Sequence, residues 1–568
     1  MSLTLLALGF LVALVAAYRL YGGWVARQFR LDDARATPAS EVNDGVDFVP
    51  TRPFYLFGQH FSAIAAAGPI AGPILACQAF GWLPCLLWIG FGVVLIGAVH
   101  DFTSLAASVR HGATSVAEIT REHLGGGAGR AMMAFIWIAL VYVIVAFADI
   151  TAGTFVAGSE ELRAAGVSFN AGGAVAAASI MYLALSVVLG LAQKYLDPPL
   201  WLVTVVFVPA AFALSWVGTL VSTAFTLDHR TWGLLILAYC CVASMVPVWS
   251  LLQPRGYLGG FILYAAIALG VVGVFFGGYE IQQPAFKGWT VPGMTGALFP
   301  FLFVTIACGA CSGFHGLVCS GTTSKQVERE SHIKPVGYGA MLAEGFVALI
   351  ALVTVMIAAQ ETLKGKAPGT IYGEGIGGFL TLLPFVGEGN RQLATTFGAM
   401  AFSTFVFDTL DVCTRLGRYI AQELFGWRGR AGALAGTLLT VALPLYFITY
   451  APANSWSKFW TLFGASNQLL AALTLLTVTA WLYRARQRIG YTLFPMLFVL
   501  AITLWALVGL VVGNLRATRG LDIELVNAAA SAALVGLAVY LAVLALVRLR
   551  GDRRRDSLLP AHPAASLE

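Results

Sequence analysis

The sequence predicts an all-α polytopic membrane protein of about fifteen transmembrane helices, and three observations carry that prediction. Of 568 residues, 58% are hydrophobic and 11% charged, well under the roughly 25% charge of soluble domains, and the mean hydropathy is +0.80. Apolar runs of about 20 residues, long enough to cross a hydrocarbon core, recur from end to end. Basic residues gather in alternate loops, the pattern that sets helix orientation.

In chain order the runs lie near 3–26, 56–78, 80–108, 130–158, 172–195, 198–224, 231–253, 257–278, 297–322, 335–360, 392–414, 431–450, 456–483, 491–513 and 523–548. The first has no basic segment before it and no small-x-small cleavage site, so it reads as a retained helix and not a signal peptide. With the N-terminus outside, the inside loops hold Arg27, Arg30, Arg35, Arg52, Arg110, Arg121, Arg130, Lys194, Arg255, Lys325, Arg329, Lys334, Arg415, Arg418, Arg428, Arg430, Arg484, Arg486, Arg488 and the cluster from Arg548 to Arg555. Fewer lie outside, chiefly Arg163, Arg230, Lys287, Lys364, Lys366, Arg391, Arg516 and Arg519. This bias, with an odd helix count, gives an N-out/C-in orientation. The Gly-rich stretch 361–390 reads as the longest external loop, either a lid or an inert hairpin, with an apolar island at 379–385 too short to span. Residues 551–568 read as a disordered tail.

Composition also excludes. The net charge of +6 is scattered through short loops, without the basic face that nucleic acid requires. All eight cysteines lie in apolar runs, which is not a disulfide framework. No loop carries a phosphate-binding Gly-rich motif ending in Lys-Ser/Thr, so the chain has no nucleotide-driven motor of its own.

Two runs interrupt their own helices. In 56–78, Pro69 and Pro73 lack the N–H groups that the carbonyls of Ala65 and Pro69 would use, and Gly68 and Gly72 loosen the backbone beside each. In 297–322, Gly309, Gly313, Gly316 and Gly321 surround His315, with Ser320, Thr322, Thr323 and Ser324 following. Small-residue packing is the plain alternative for such a segment. Non-helical backbone at membrane depth persists only where protein or a watery cavity satisfies it, so both runs point to a binding site.

The layout divides the chain into an N-terminal helix and inside loop (1–55), a first five-helix unit (56–225), two intervening helices (226–295), a second five-helix unit (296–484), two C-terminal helices (485–550) and the tail (551–568). Both units open on a broken helix, in opposite senses, which is the signature of an inverted-repeat carrier with its site at the repeat interface. The expected substrate-binding residues are His60, Ala65, Gly68, Pro69, Gly72, Gly313, His315 and Gly316.

Ionisable groups within spans are expensive and face the bundle interior. Asp149 and Glu344 have no cation on their own helix and are the expected proton carriers, the alternative being acids that hydrogen-bond to a neighbouring backbone. Asp408, Asp411 and Arg415 share one helix face and read as an ion pair or gate; His100 and Asp101 read as a pair near the inner end of their helix. No metal is expected: Cys308-x-x-Cys311 with His315 lacks a defined fourth ligand.

Four stretches, Asp44-Gly-Val-Asp-Phe-Val-Pro-Thr51, Phe57-Gly-Gln-His-Phe-Ser-Ala-Ile-Ala-Ala-Ala-Gly-Pro-Ile-Ala-Gly-Pro73, Gly97-Ala-Val-His-Asp-Phe102 and Cys311-Ser-Gly-Phe-His-Gly316, closely resemble the carbon starvation protein A (CstA) family of bacterial inner-membrane transporters. The resemblance runs over most of the chain, which looks like a shorter member. It implies uptake of peptides or of pyruvate, with proton coupling in the pyruvate carriers, and an APC-type, LeuT-like 5+5 core.

Residues and resemblance together point to a multi-pass importer of a small carboxylate-bearing molecule. It needs no cofactor, and a proton is the driving ion, with sodium, held by the carbonyls of Ala65 and Pro69, as the alternative. The partners are that solute and the bilayer; the oligomeric state is open. The rival classes are a nutrient sensor, which binds without accumulating, and a membrane enzyme, which turns over in detergent.

Overall fold

A computed structural model describes residues 2–558 except 46, 157–160, 165–166, 291–296, 453–454 and 521. In order, α1 (Leu3–Arg19) and α2 (Tyr21–Phe29) lead into a polar segment, then α3 (Pro53–Ile64), α4 (Gly68–Phe80) and α5 (Trp82–Arg110). Next come the short α6 (Val116–Leu124), α7 (Gly126–Val156), α8 (Ala171–Leu196), α9 (Leu200–Leu220), α10 (His229–Met245) and α11 (Leu252–Phe276). The second half holds α12 (Leu298–Thr305), α13 (Gly313–Val318), α14 (Ala340–Met356), α15 (Pro368–Leu380) and α16 (Arg391–Phe425). It closes with α17 (Gly429–Tyr450), α18 (Trp456–Arg484), α19 (Gly490–Ala517) and α20 (Ile523–Leu558).

Every expected apolar run coincides with a helix or a helix pair. By length and apolarity, however, twelve helices among the described residues can cross a membrane, or thirteen if the bent pair α3/α4 is one span. The shortfall from about fifteen has two causes: α10 is only 17 residues long, and the second broken span is divided into pieces of 8 and 6 residues. The chain is also not wholly helical, since β1 (Glu161–Ala164) and β2 (Val167–Asn170) form an antiparallel hairpin between α7 and α8.

Helix starts are set locally. Ser115 accepts from the Glu118 amide at 3.3 Å to cap α6, Asn170 from Gly173 at 2.7 Å to cap α8, and Asp228 from Thr231 at 3.1 Å to cap α10, each satisfying an N–H that the first turn leaves unpaired. Pro53 and Pro368 occupy first-turn positions, where a missing N–H costs nothing.

The segment 361–390 is not a loop throughout. Its centre is α15, packed on α16 through glycines four apart: a methyl group at Gly373 would stand 2.9 Å from Ala399, and one at Gly377 2.6 Å from the Thr395 amide. Small residues at this spacing let helix backbones touch. The expected tail is likewise helical through Leu558; residues 559–568 lie outside the described residues.

On one side of the molecule the polar segment after α2 is strapped along residues 325–331. Amides of Val49 and Thr51 donate to the carbonyls of Lys325 and Gln326 at 3.2 and 3.0 Å, and Thr51 bridges Val327 in parallel. Asp33 accepts from the Ser331 amide and hydroxyl, both at 2.8 Å. Glu330, its side chain fully buried, pairs at 3.0 Å with both Arg35 and Arg110.

Candidate functional site

The first broken span has one interruption where the sequence predicts two. α3 ends at Ile64, residues 65–67 leave the helix, and α4 restarts at Gly68 with Pro69 in its first turn, bent by 46°. Pro73 is accommodated within α4. The second span breaks over residues 306–312 and restarts at Gly313.

The two interruptions meet. A methyl group at Gly68 would collide with the Cys308 thiol, and one at Gly72 would sit 2.6 Å from the Thr305 carbonyl oxygen. These glycines are therefore contact points of the first broken span with Thr305 and Cys308 of the second, whereas Gly313 packs against Asn467, Leu470 and Ala471 of α18 and Gly316 against His100. Side chains from neighbouring helices satisfy the second break: Trp460 donates to the Thr305 carbonyl at 3.0 Å, Trp88 to Ile306 at 3.2 Å and Gln468 to Phe303 at 3.3 Å. Asn467 accepts from the Phe314 amide at 2.9 Å, capping the restarted helix.

Beside this contact lies a buried chain of four titratable groups. His100 Nδ1 is 2.7 Å from Asp101 Oδ1, Asp101 Oδ2 is 2.9 Å from His315 Nδ1, and His315 Nε2 is 3.2 Å from Glu344 Oε2. All four side chains are at most 1% exposed. Gly316 permits the approach, since a methyl group there would stand 3.3 Å from the His100 ring. His60 joins from the first broken span, its Nδ1 2.8 Å from Thr323 Oγ1. Among the described residues, His60 Nε2, His100 Nε2 and both Glu344 carboxyl oxygens have no hydrogen-bond partner, so the cluster holds buried polar atoms that the protein itself leaves unpaired.

A neutral imidazole has one N–H, and a carboxylate only accepts. The His315 ring stands between two carboxylates, with Nδ1 hydrogen-bonded to Asp101 at 2.9 Å and Nε2 3.2 Å from Glu344 without a hydrogen bond, so a neutral ring there donates to only one of the two.

The remaining expected residues fall elsewhere. Asp149 Oδ1 lies 3.2 Å from His229 Nε2, away from the quartet. His100 and Asp101 are not an interfacial pair but part of the core quartet. Asp411 does not pair with Arg415. Asp408, at 2.5 Å, and Asp411 both bind Arg255, a fully buried residue of α11 that the sequence places in a loop, while Tyr239 donates to Asp411 at 2.7 Å. Arg415 instead donates to the Ala243 and Val246 carbonyls at 2.6 and 2.7 Å, capping the end of α10. Arg255 and the pairing of Asp101 with His315 had no sequence signal, because their partners lie 156 and 214 positions away. A cavity of about 490 Å³ lined by Lys366, Glu374 and Arg391 adjoins α15 and touches neither broken span.

A family model described as carbon starvation protein CstA matches residues 1–374 and 358–506. A peptide transporter CstA of Campylobacter jejuni is 34% identical over 562 residues, covering 86% of this chain and 77% of that one. A pyruvate/proton symporter BtsT of Escherichia coli is 30% identical over 583 residues, covering 87% and 79%. A solved manganese transporter of Eremococcus coleocola aligns over 91% of this chain and 99% of its own at 13% identity and a TM-score of 0.45. On the family match and the extent of these relatives, the chain belongs to the carbon starvation protein CstA family.

Proposed function

We propose that this protein is a secondary active transporter that imports a small carboxylate-bearing nutrient, pyruvate or a peptide, across the bacterial inner membrane together with a proton. Its relatives are named as transporters, and it is not an enzyme. The observation that supports proton coupling is the His315 ring placed between the Asp101 and Glu344 carboxyl groups in a fully buried site. Such a site exchanges a proton with water only when the surrounding helices open it to one side or the other.

In this reading the chain has a 5+5 inverted-repeat core of the LeuT-like kind, N-out/C-in, with the units 56–225 and 296–484 moving about the contact of their broken helices. The restarted helix at Gly68 directs N–H groups and a positive dipole end at the substrate carboxylate. Ala65, Pro69, Gly72, Gly313 and Gly316 shape the backbone there, and His60 and His315 supply ring nitrogens. Importing an anion against an inside-negative potential costs about 2.3 kcal/mol per charge per 100 mV, which a co-transported proton cancels. Glu344 carries the proton with His315; Asp149, paired with His229, is a second carrier; Arg255 with Asp408 and Asp411 forms a gate.

Uptake of labelled pyruvate and of dipeptides into proteoliposomes, with proton and sodium gradients imposed separately, tests this. Accumulation under a proton gradient alone is the expected result. Accumulation driven only by sodium, or none of any carboxylate solute, overturns it.

A further inference from the structure

The connector between α5 and α7 gathers three metal-ligating side chains that the transport scheme does not use. His111 follows the last turn of α5, and Glu122 and His123 lie at the end of α6. One ligand atom from each lies within 4.8 Å of the others. His111 Nδ1 is 2.6 Å from the Ala107 carbonyl oxygen; a carbonyl only accepts, so Nδ1 carries the ring proton and Nε2 presents a lone pair. That lone pair faces His123 Nε2 at 2.9 Å, with the two rings nearly perpendicular at 89°. The Trp481 ring, 5.1 Å from His111, holds the imidazole in place.

We propose that His111, Glu122 and His123 form a binding site for a divalent transition metal of the zinc class, with a fourth position open to water. An imidazole whose second nitrogen donates to a backbone carbonyl is the arrangement that fixes the tautomer of metal-bound histidines. Two nitrogens bonded at about 2.0–2.1 Å to one tetrahedral ion stand roughly 3.3 Å apart, so the present pair needs only a small outward shift. Exposed Glu122 supplies the anionic third ligand from solvent. Two imidazoles and one carboxylate suit zinc, cobalt or nickel and not magnesium or calcium, which take oxygen ligands. The bound ion would join the end of α5 to the end of α6.

The test uses full-length, tag-free protein in detergent, stripped with chelator, titrated with cobalt(II) by visible absorption and with zinc by equilibrium dialysis. Tight binding of a single ion per chain is expected, insensitive to excess magnesium. His111→Ala and His123→Ala should each weaken it by at least the roughly 10–100-fold that loss of even an outer partner costs; Glu122→Gln should weaken it less. His123→Gln keeps size and a polar tip, and its unchanged elution on size exclusion separates lost ligation from lost fold. Wild-type binding no tighter than that of His123→Gln overturns the site.

Discussion

Glu344 and Asp101 reach the same imidazole from opposite sides, and the proposed coupling places the carried proton on Glu344 together with His315. Glu344→Gln keeps the shape and removes the titration. Proteoliposomes of that variant should exchange labelled for unlabelled substrate normally and yet fail to accumulate it under a proton gradient; accumulation at the wild-type level would refute the role. The Arg255 cluster is a different case. Arg255→Met strands two carboxylates in the interior, and breaking such a buried pair costs about 3–5 kcal/mol, read as a lowered thermal unfolding transition in detergent, with recovery in the triple variant Arg255→Met/Asp408→Asn/Asp411→Asn. His60, His315 and Glu344 were legible because an ionisable group in an apolar run has to face the interior. Arg255 was not, because it falls between the apolar runs 231–253 and 257–278 and so reads as a loop residue. In the structure α11 begins at Leu252, and Pro254 sits in the first turn, where a missing N–H is harmless.

At the level of elements, sequence located both broken spans but overcounted the interruptions, since Pro73 is absorbed into a helix that tertiary contacts hold. It misread α15 for the opposite reason. Glycine penalises an isolated helix by about 1 kcal/mol per residue, yet Gly369, Gly373 and Gly377 are what let α15 lie against α16, and packing overrides propensity. Gly373→Leu should therefore push the helices apart and lower both folded yield and thermal stability, whereas a leucine at exposed Gly389, with open space around it, should change neither. The strap responds to pH in a definite direction. Hydrogen bonds from the Ser331 backbone amide and then its hydroxyl hold the Asp33 carboxyl below its ordinary range. A depressed carboxyl contributes stability above its unfolded-state value and loses it as pH falls through the folded one. Amide exchange at Ser331 should stay slow through neutral and mildly acidic pH and quicken only below the usual carboxylate range; in Asp33→Ala it should be fast throughout.

For the whole molecule, the sequence disclosed an order of helices and a charge bias, while the side-by-side placement of the two interruptions emerged only in three dimensions. The orientation remains directly measurable. In intact cells a membrane-impermeant amine reagent should modify exposed Lys364 and should reach exposed Lys194 only after permeabilisation; the reverse pattern would invert the topology. The strap bears on the molecule as one machine. Thr51 stands two residues before α3, and Val327 stands four beyond the turn that ends the second broken span at Thr323. The hydrogen-bonded ribbon ties the approach to the first interrupted segment to the exit from the second, so that in the proposed carrier it is a crosspiece through which a swing of one would draw on the other.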